Sequence, residues 1–113
     1  AFTQGHIEQH PEIIPALIEA RRKQPLDPTG FARRMQAAYA HNTFDRLSQI
    51  TCPTLVITGK DDALIAWENS QLLADNIADS KLVVLEPAGH VFWAEQPAQS
   101  RDAILTFLQK HKR

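Results

Sequence analysis

A chain of 113 residues with 43% hydrophobic and 22% charged side chains can close no more than one domain around a modest core. Its 12 Lys and Arg stand against 13 Asp and Glu, a formal charge of -1, which excludes the broad basic field that recruits nucleic acid or an anionic membrane. The single Cys52 excludes an internal disulfide, no apolar run approaches the ~20 residues of a membrane span, and no charged-then-apolar leader opens the chain, so a cytoplasmic protein is expected.

The first half of the chain is written in helical spacing. Ile13, Ile14, Leu17 and Ile18, then Phe31, Met35, Ala38 and Tyr39, recur at three- and four-residue intervals, and the breaker run Gln24-Pro25-Leu26-Asp27-Pro28 separates them. Two amphipathic helices joined by a turn are expected, with Met35 and Tyr39 in their core. The basic clusters Arg21-Arg22-Lys23 and Arg33-Arg34 lie among Glu8, Glu12, Glu19 and Asp27 and read as solvated helix faces. A third short helical piece is expected over Phe44 to Gln49, with Asn42-Thr43 as its cap.

After Pro53 the pattern changes to strand, helix, strand, helix. Thr54 to Thr58 and Lys81 to Leu85 are short, continuous apolar runs of the kind buried on both faces of a parallel sheet. Between them Ala66, Ser70, Leu73, Ala74 and Ile77 form one helical stripe; Ile104, Phe107, Leu108 and His111 form another after the second strand. A strand pair with a helical crossover implies parallel neighbours. Two such strands cannot make a sheet that stands alone, so further strands are expected from the missing amino-terminal half of a longer protein or from self-association as a homo-oligomer. Cys52, just ahead of the first strand, is expected to take a small buried apolar role.

Both strands run into glycine-containing turns that carry chemistry. The first ends in Gly59-Lys60-Asp61-Asp62 and the second leads to Gly89-His90. In a parallel strand pair the carboxyl ends are neighbours in space, and open α/β sheets keep their reactive groups there. A carboxylate at one end can orient an imidazole at the other, fix its tautomer and stabilise the imidazolium that forms when the second ring nitrogen takes a proton.

The run Pro53-Thr54-Leu55-Val56-Ile57 into Gly59-Lys60-Asp61-Asp62, then Gly89-His90 with Glu95-Gln96-Pro97 and a last helix bearing Phe107-Leu108, resembles the carboxyl-terminal part of the α/β-hydrolase superfamily. The resemblance implies a partial α/β-hydrolase fold: a helical cap segment over residues 1–50, then the β-α-β-α part of the parallel-sheet core over residues 51–113. It implies that Asp62 is the triad acid and His90 the triad base, with Asp61 a turn or capping residue. Pro97 suits the first turn of the last helix. Phe92, Trp93 and Trp67 are candidate substrate-binding residues lining an apolar pocket. No organic or metal cofactor is implied, and the partner is a small-molecule substrate.

The family's nucleophile, in G-x-S-x-G at a strand-to-helix turn, is not matched: Ser48, Ser70, Ser80 and Ser100 all lack glycine two residues to either side. His6 and His10 give H-x-E-x-H in place of the zinc-binding H-E-x-x-H, and Pro11 interrupts the helical run immediately after them. The expectation is a chain that supplies acid and base to a serine-type hydrolase acting on an ester, lactone or related carbonyl, and that is inactive alone. A dehalogenase, an epoxide or carbon–carbon bond hydrolase, and a non-catalytic binding module on the same scaffold are the alternatives.

Overall fold

In the computed structural model residues 1–112 are described; Arg113, the final position of the expected core segment, lies outside them. The elements run α1 (Gln4–Gln9), α2 (Ile13–Lys23), α3 (Pro28–Ala40), a 3₁₀ helix (Phe44–Gln49), β1 (Thr54–Gly59), α4 (Glu68–Asn76), β2 (Ser80–Leu85), α5 (Phe92–Glu95) and α6 (Pro97–Lys110). Local chemistry sets several of the helix starts. Asp27 caps α3 by accepting the N–H groups of Thr29 and Gly30, and Pro28 fills the first helical position, where its missing donor costs nothing. Asn42 Oδ1 accepts the Phe44 N–H and so starts the 3₁₀ helix. Pro97 opens α6. Two elements go beyond the helical periodicity read in the sequence: α1, capped by Thr3 Oγ1 on the His6 N–H, and the single turn α5.

The strands β1 and β2 pair in parallel, in register from Thr54 opposite Ser80 to Gly59 opposite Leu85. They form a two-stranded sheet, so among the described residues each keeps one edge without a strand partner. Helices α4 and α6 both pack against the strand pair, and the 3₁₀ helix packs on α4. The buried apolar residues Leu47, Val56, Ile77, Leu85 and Ala88 come from these elements, the cap position just after α4 and the loop after β2. Burial is partial elsewhere: Leu82, Val83 and Val84 of β2 are half-buried, short of the two-sided cover their apolar run calls for.

Two expectations about burial do not hold. Met35 and Tyr39 are exposed, Tyr39 to 88%, because α2 and α3 bury none of their residues against any other element. An amphipathic stripe is buried only by what packs on it, and Ile14, Leu17, Ile18 and Phe31 of the same stripes are also open. Cys52 is exposed as well. It sits ahead of β1, where its carbonyl is the engaged group, accepting the Thr54 hydroxyl at 3.0 Å.

Candidate active site

The carboxyl ends of β1 and β2 are held together by backbone. Beyond the last register pair, the Lys60 N–H donates to the Leu85 carbonyl at 2.9 Å and the Asp61 N–H to the Ala88 carbonyl at 2.8 Å. Gly59 lies directly beneath this crossing: a Cβ there would run into the carbonyl oxygens of Ala88 and Gly89. Only a residue without a side chain lets the two loops approach so closely. Asp61 completes the clasp, its Oδ2 accepting the Ala88 N–H at 3.2 Å. The capping role expected of Asp61 is therefore exercised on the loop of the other strand.

With the loops clasped, Asp62 and His90 meet. Asp62 Oδ2 lies 2.8 Å from His90 Nδ1, and the carboxylate side chain is 7% exposed against 38% for the imidazole. The other carboxylate oxygen, Oδ1, accepts the N–H groups of Leu64 at 2.8 Å and Ile65 at 3.0 Å. Burial acts to raise the Asp62 carboxyl, but the Ile65 N–H, the His90 ring and the Leu64 N–H outweigh it and hold the group below its ordinary value. Asp62 is thus an acceptor-only carboxylate near neutral pH, which requires the proton between it and His90 to sit on Nδ1. In the neutral ring Nε2 is then the bare nitrogen, the one able to act as a base.

The acid loop is closed at its far end by Lys60 Nζ, which lies 3.4 Å from the centre of the Trp67 ring. Phe92 and Trp93 lie just beyond His90 on α5 and pack edge to face with ring centres 5.2 Å apart; Trp93 is 55% exposed. A cavity of about 450 Å³ opens beside the base loop, with Phe2, Thr3, His6, Asp61, Pro87 and Glu95 in its walls. Asp62, His90, Phe92, Trp93 and Trp67 do not line it.

Glu95 and Gln96, read in the sequence only as the approach to the last helix, take a further role in the structure. Glu95 accepts the Gly89 N–H through Oε2 and both the N–H and the hydroxyl of Thr3, each at 2.6 Å, through Oε1. Gln96 Nε2 donates to the Pro87 carbonyl at 2.8 Å. The signal in the sequence is the Glu95-Gln96-Pro97 match, which marks the start of the last helix and gives no sign of the bonds to Thr3, Gly89 and Pro87. Among the described residues the serine hydroxyls with bonds spend them on backbone: Ser80 on the Ala74 carbonyl, and Ser100 on those of Gln96 and Phe92.

Comparison with known proteins gives a consistent relationship. The serine hydrolase (FSH1) family matches residues 15–101. 3-Oxoadipate enol-lactonase 2 of Acinetobacter baylyi is 31% identical over 109 residues, which is 96% of this chain and 40% of that protein. A protein of Pseudomonas savastanoi pv. phaseolicola with the provisional name carbamate hydrolase RutD is 36% identical over 76 residues, 67% of this chain and 29% of that one. The crystal structure of the enol-lactonase from Burkholderia xenovorans LB400 superposes with a TM-score of 0.84 at 25% identity, covering 96% of this chain and 40% of that one. The chain thus spans less than half the length of each of these relatives. A family match over most of the chain and a superposition of this extent establish that the chain belongs to the serine hydrolase (FSH1) family and carries part of the α/β-hydrolase fold.

Proposed function

We propose that Asp62 and His90 are the acid and base of a Ser-His-Asp hydrolase whose serine lies in a part of the protein outside this chain, and that the whole protein hydrolyses an ester or lactone. The observation that carries this reading is the 2.8 Å contact between the buried Asp62 carboxylate and His90 Nδ1 at the carboxyl ends of adjacent parallel strands. The enol-lactonases among its relatives support the carbonyl class.

In this mechanism His90 Nε2 takes the proton of the serine hydroxyl as its oxygen bonds to the carbonyl carbon. The imidazolium so formed is stabilised by Asp62, which keeps its negative charge and passes no proton. Collapse of the tetrahedral adduct breaks the bond to the leaving oxygen, which receives the proton from Nε2. Water then enters by the reverse sequence and releases the acid. Phe92, Trp93 and Trp67 line the apolar side of the substrate pocket, under a cap formed by residues 1–50, while residues 51–113 belong to the core.

Two experiments test this. In the full-length protein His90→Ala should abolish hydrolysis of p-nitrophenyl acetate while the protein stays folded; retained turnover would overturn the assignment. A fluorophosphonate probe, which labels an activated serine, should label the full-length protein and leave the 113-residue chain unlabelled. A labelled 113-residue chain would show that the nucleophile belongs to this chain.

A further inference from the structure

The backbone around His90 is gripped on both sides by groups that play no part in the acid–base pair. On one side Glu95 Oε2 accepts the Gly89 N–H; on the other the Ala1 carbonyl accepts the Val91 N–H at 3.3 Å. The two grips are joined, because Glu95 Oε1 also accepts the N–H and the hydroxyl of Thr3, both at 2.6 Å. Gly89 leaves the space for this: a Cβ there would lie 2.6 Å from the Ala1 carbonyl oxygen and 3.1 Å from Glu95 Oε2. Thr3 in turn caps α1, whose His6 stacks on Phe2 with ring centres 5.3 Å apart. Burial acts to raise the Glu95 carboxyl, but the bonds from Thr3 and Gly89 and the nearby His6 hold it below its ordinary value.

We infer that Glu95 is a positioning residue for His90, tying the base loop to the segment Ala1–Thr3 that leads into the helical half of the chain. It rests on the acid–base reading given above. Only an ionised carboxylate can make this tie. Its two oxygens accept three hydrogen bonds from two directions, and a side chain with one acceptor and one donor end must release either the Gly89 N–H or the Thr3 pair. Releasing either frees one flank of His90, and a small displacement of the ring costs proton transfer far more than it costs substrate binding.

The test uses the full-length protein carrying Glu95→Gln or Thr3→Val, with His90→Ala as reference. Glu95→Gln should lower kcat for p-nitrophenyl acetate about 10- to 100-fold with KM nearly unchanged. Thr3→Val removes the hydroxyl's bond to Glu95 and its cap on the His6 N–H, with no change of charge, and should lower kcat about 3- to 10-fold. Both should broaden or erase the far-downfield proton resonance of the His90 Nδ1–H···Asp62 bond, a signal that a purely structural brace would leave alone once the protein is folded. Thr3 lies on a half-buried surface stretch of chain and its valine variant should fold even if the Glu95 variant does not. An active His90→Ala protein overturns the acid–base reading and this inference with it. An inactive one, beside folded Glu95→Gln or Thr3→Val proteins with unchanged kcat and resonance, overturns this inference alone.

Discussion

Asp62→Asn in the full-length protein is the sharpest perturbation of the proposed pair, because the surrounding backbone dictates how the amide must sit. Asp62 Oδ1 accepts two N–H groups, from Leu64 and Ile65. An asparagine keeps its one carbonyl oxygen there, since turning the amide round would face its NH₂ against two donors and leave both unmet. Its NH₂ is then directed at His90 Nδ1, where Asp62 Oδ2 now stands at 2.8 Å. An NH₂ can only donate, so Nδ1 becomes the acceptor and the ring proton moves to Nε2, the nitrogen that must be bare to act as a base. The same substitution in a serine protease costs about 10⁴-fold in kcat, or about 5.4 kcal/mol of transition-state stabilisation, and a loss of that order is expected here. Asp61→Asn is the control: its carbonyl oxygen can still accept the Ala88 N–H, so less than about a tenfold loss is expected. Steady-state hydrolysis of p-nitrophenyl acetate, with circular dichroism to confirm folding, decides the matter. Equal losses at the two positions, or an Asp62→Asn protein within tenfold of wild type, would refute the tautomer argument.

Both Asp62 and Glu95 sit below their ordinary values of 3.8 and 4.5, so the unfolded chain takes up protons before the folded one as pH falls. Their stabilisation is fully present above those ordinary values and is lost as pH drops through the lower folded ones. The stability gap between wild type and Glu95→Gln should therefore close on acidification in denaturant titrations; a gap independent of pH would contradict this. Gly59→Ala should cost about 1–3 kcal/mol, because its methyl meets two carbonyl oxygens that belong to the loop clasp. An unchanged Tm for that variant would mean the loops can part without penalty. The 113-residue chain by itself should self-associate through the open edge of β1, a template for further strand pairing, and light scattering that shows a stable monomer would refute this.

What could be read from the sequence divides along a physical line. The strands, their helical crossover and the Asp62–His90 meeting follow from short-range grammar: an apolar run, a glycine turn, and the rule that parallel strands bring their ends together. Those features are settled within the β1–β2 unit. The exposure of Met35, Tyr39 and Cys52 is not legible in the same way, because burial belongs to the surface that packs on a residue, which spacing along one chain does not contain. Glu95 reads from sequence only as part of the approach to α6, since its work depends on Thr3, 92 positions away. The Thr3–Glu95 tie is a contact of tertiary structure with no local signature.

The same division explains why the acid–base geometry is so completely formed in this chain while α2 and α3 bury nothing. The bonds that draw the Asp62 loop to the His90 loop join the end of β1 to the end of β2: Lys60 to Leu85, Asp61 to Ala88 in both directions, with the bare Cα of Gly59 beneath them. None of these contacts involves α1, α2 or α3. Asp62 and His90, the proposed acid and base, are thus brought together by one strand pair, and the Ala1–Thr3 segment and Glu95 bond to the loop on either side of His90. If Asp62 and His90 are the acid and base, substitutions on α2 and α3 leave their 2.8 Å contact in place, whereas changes at Thr3 and Glu95 reach it.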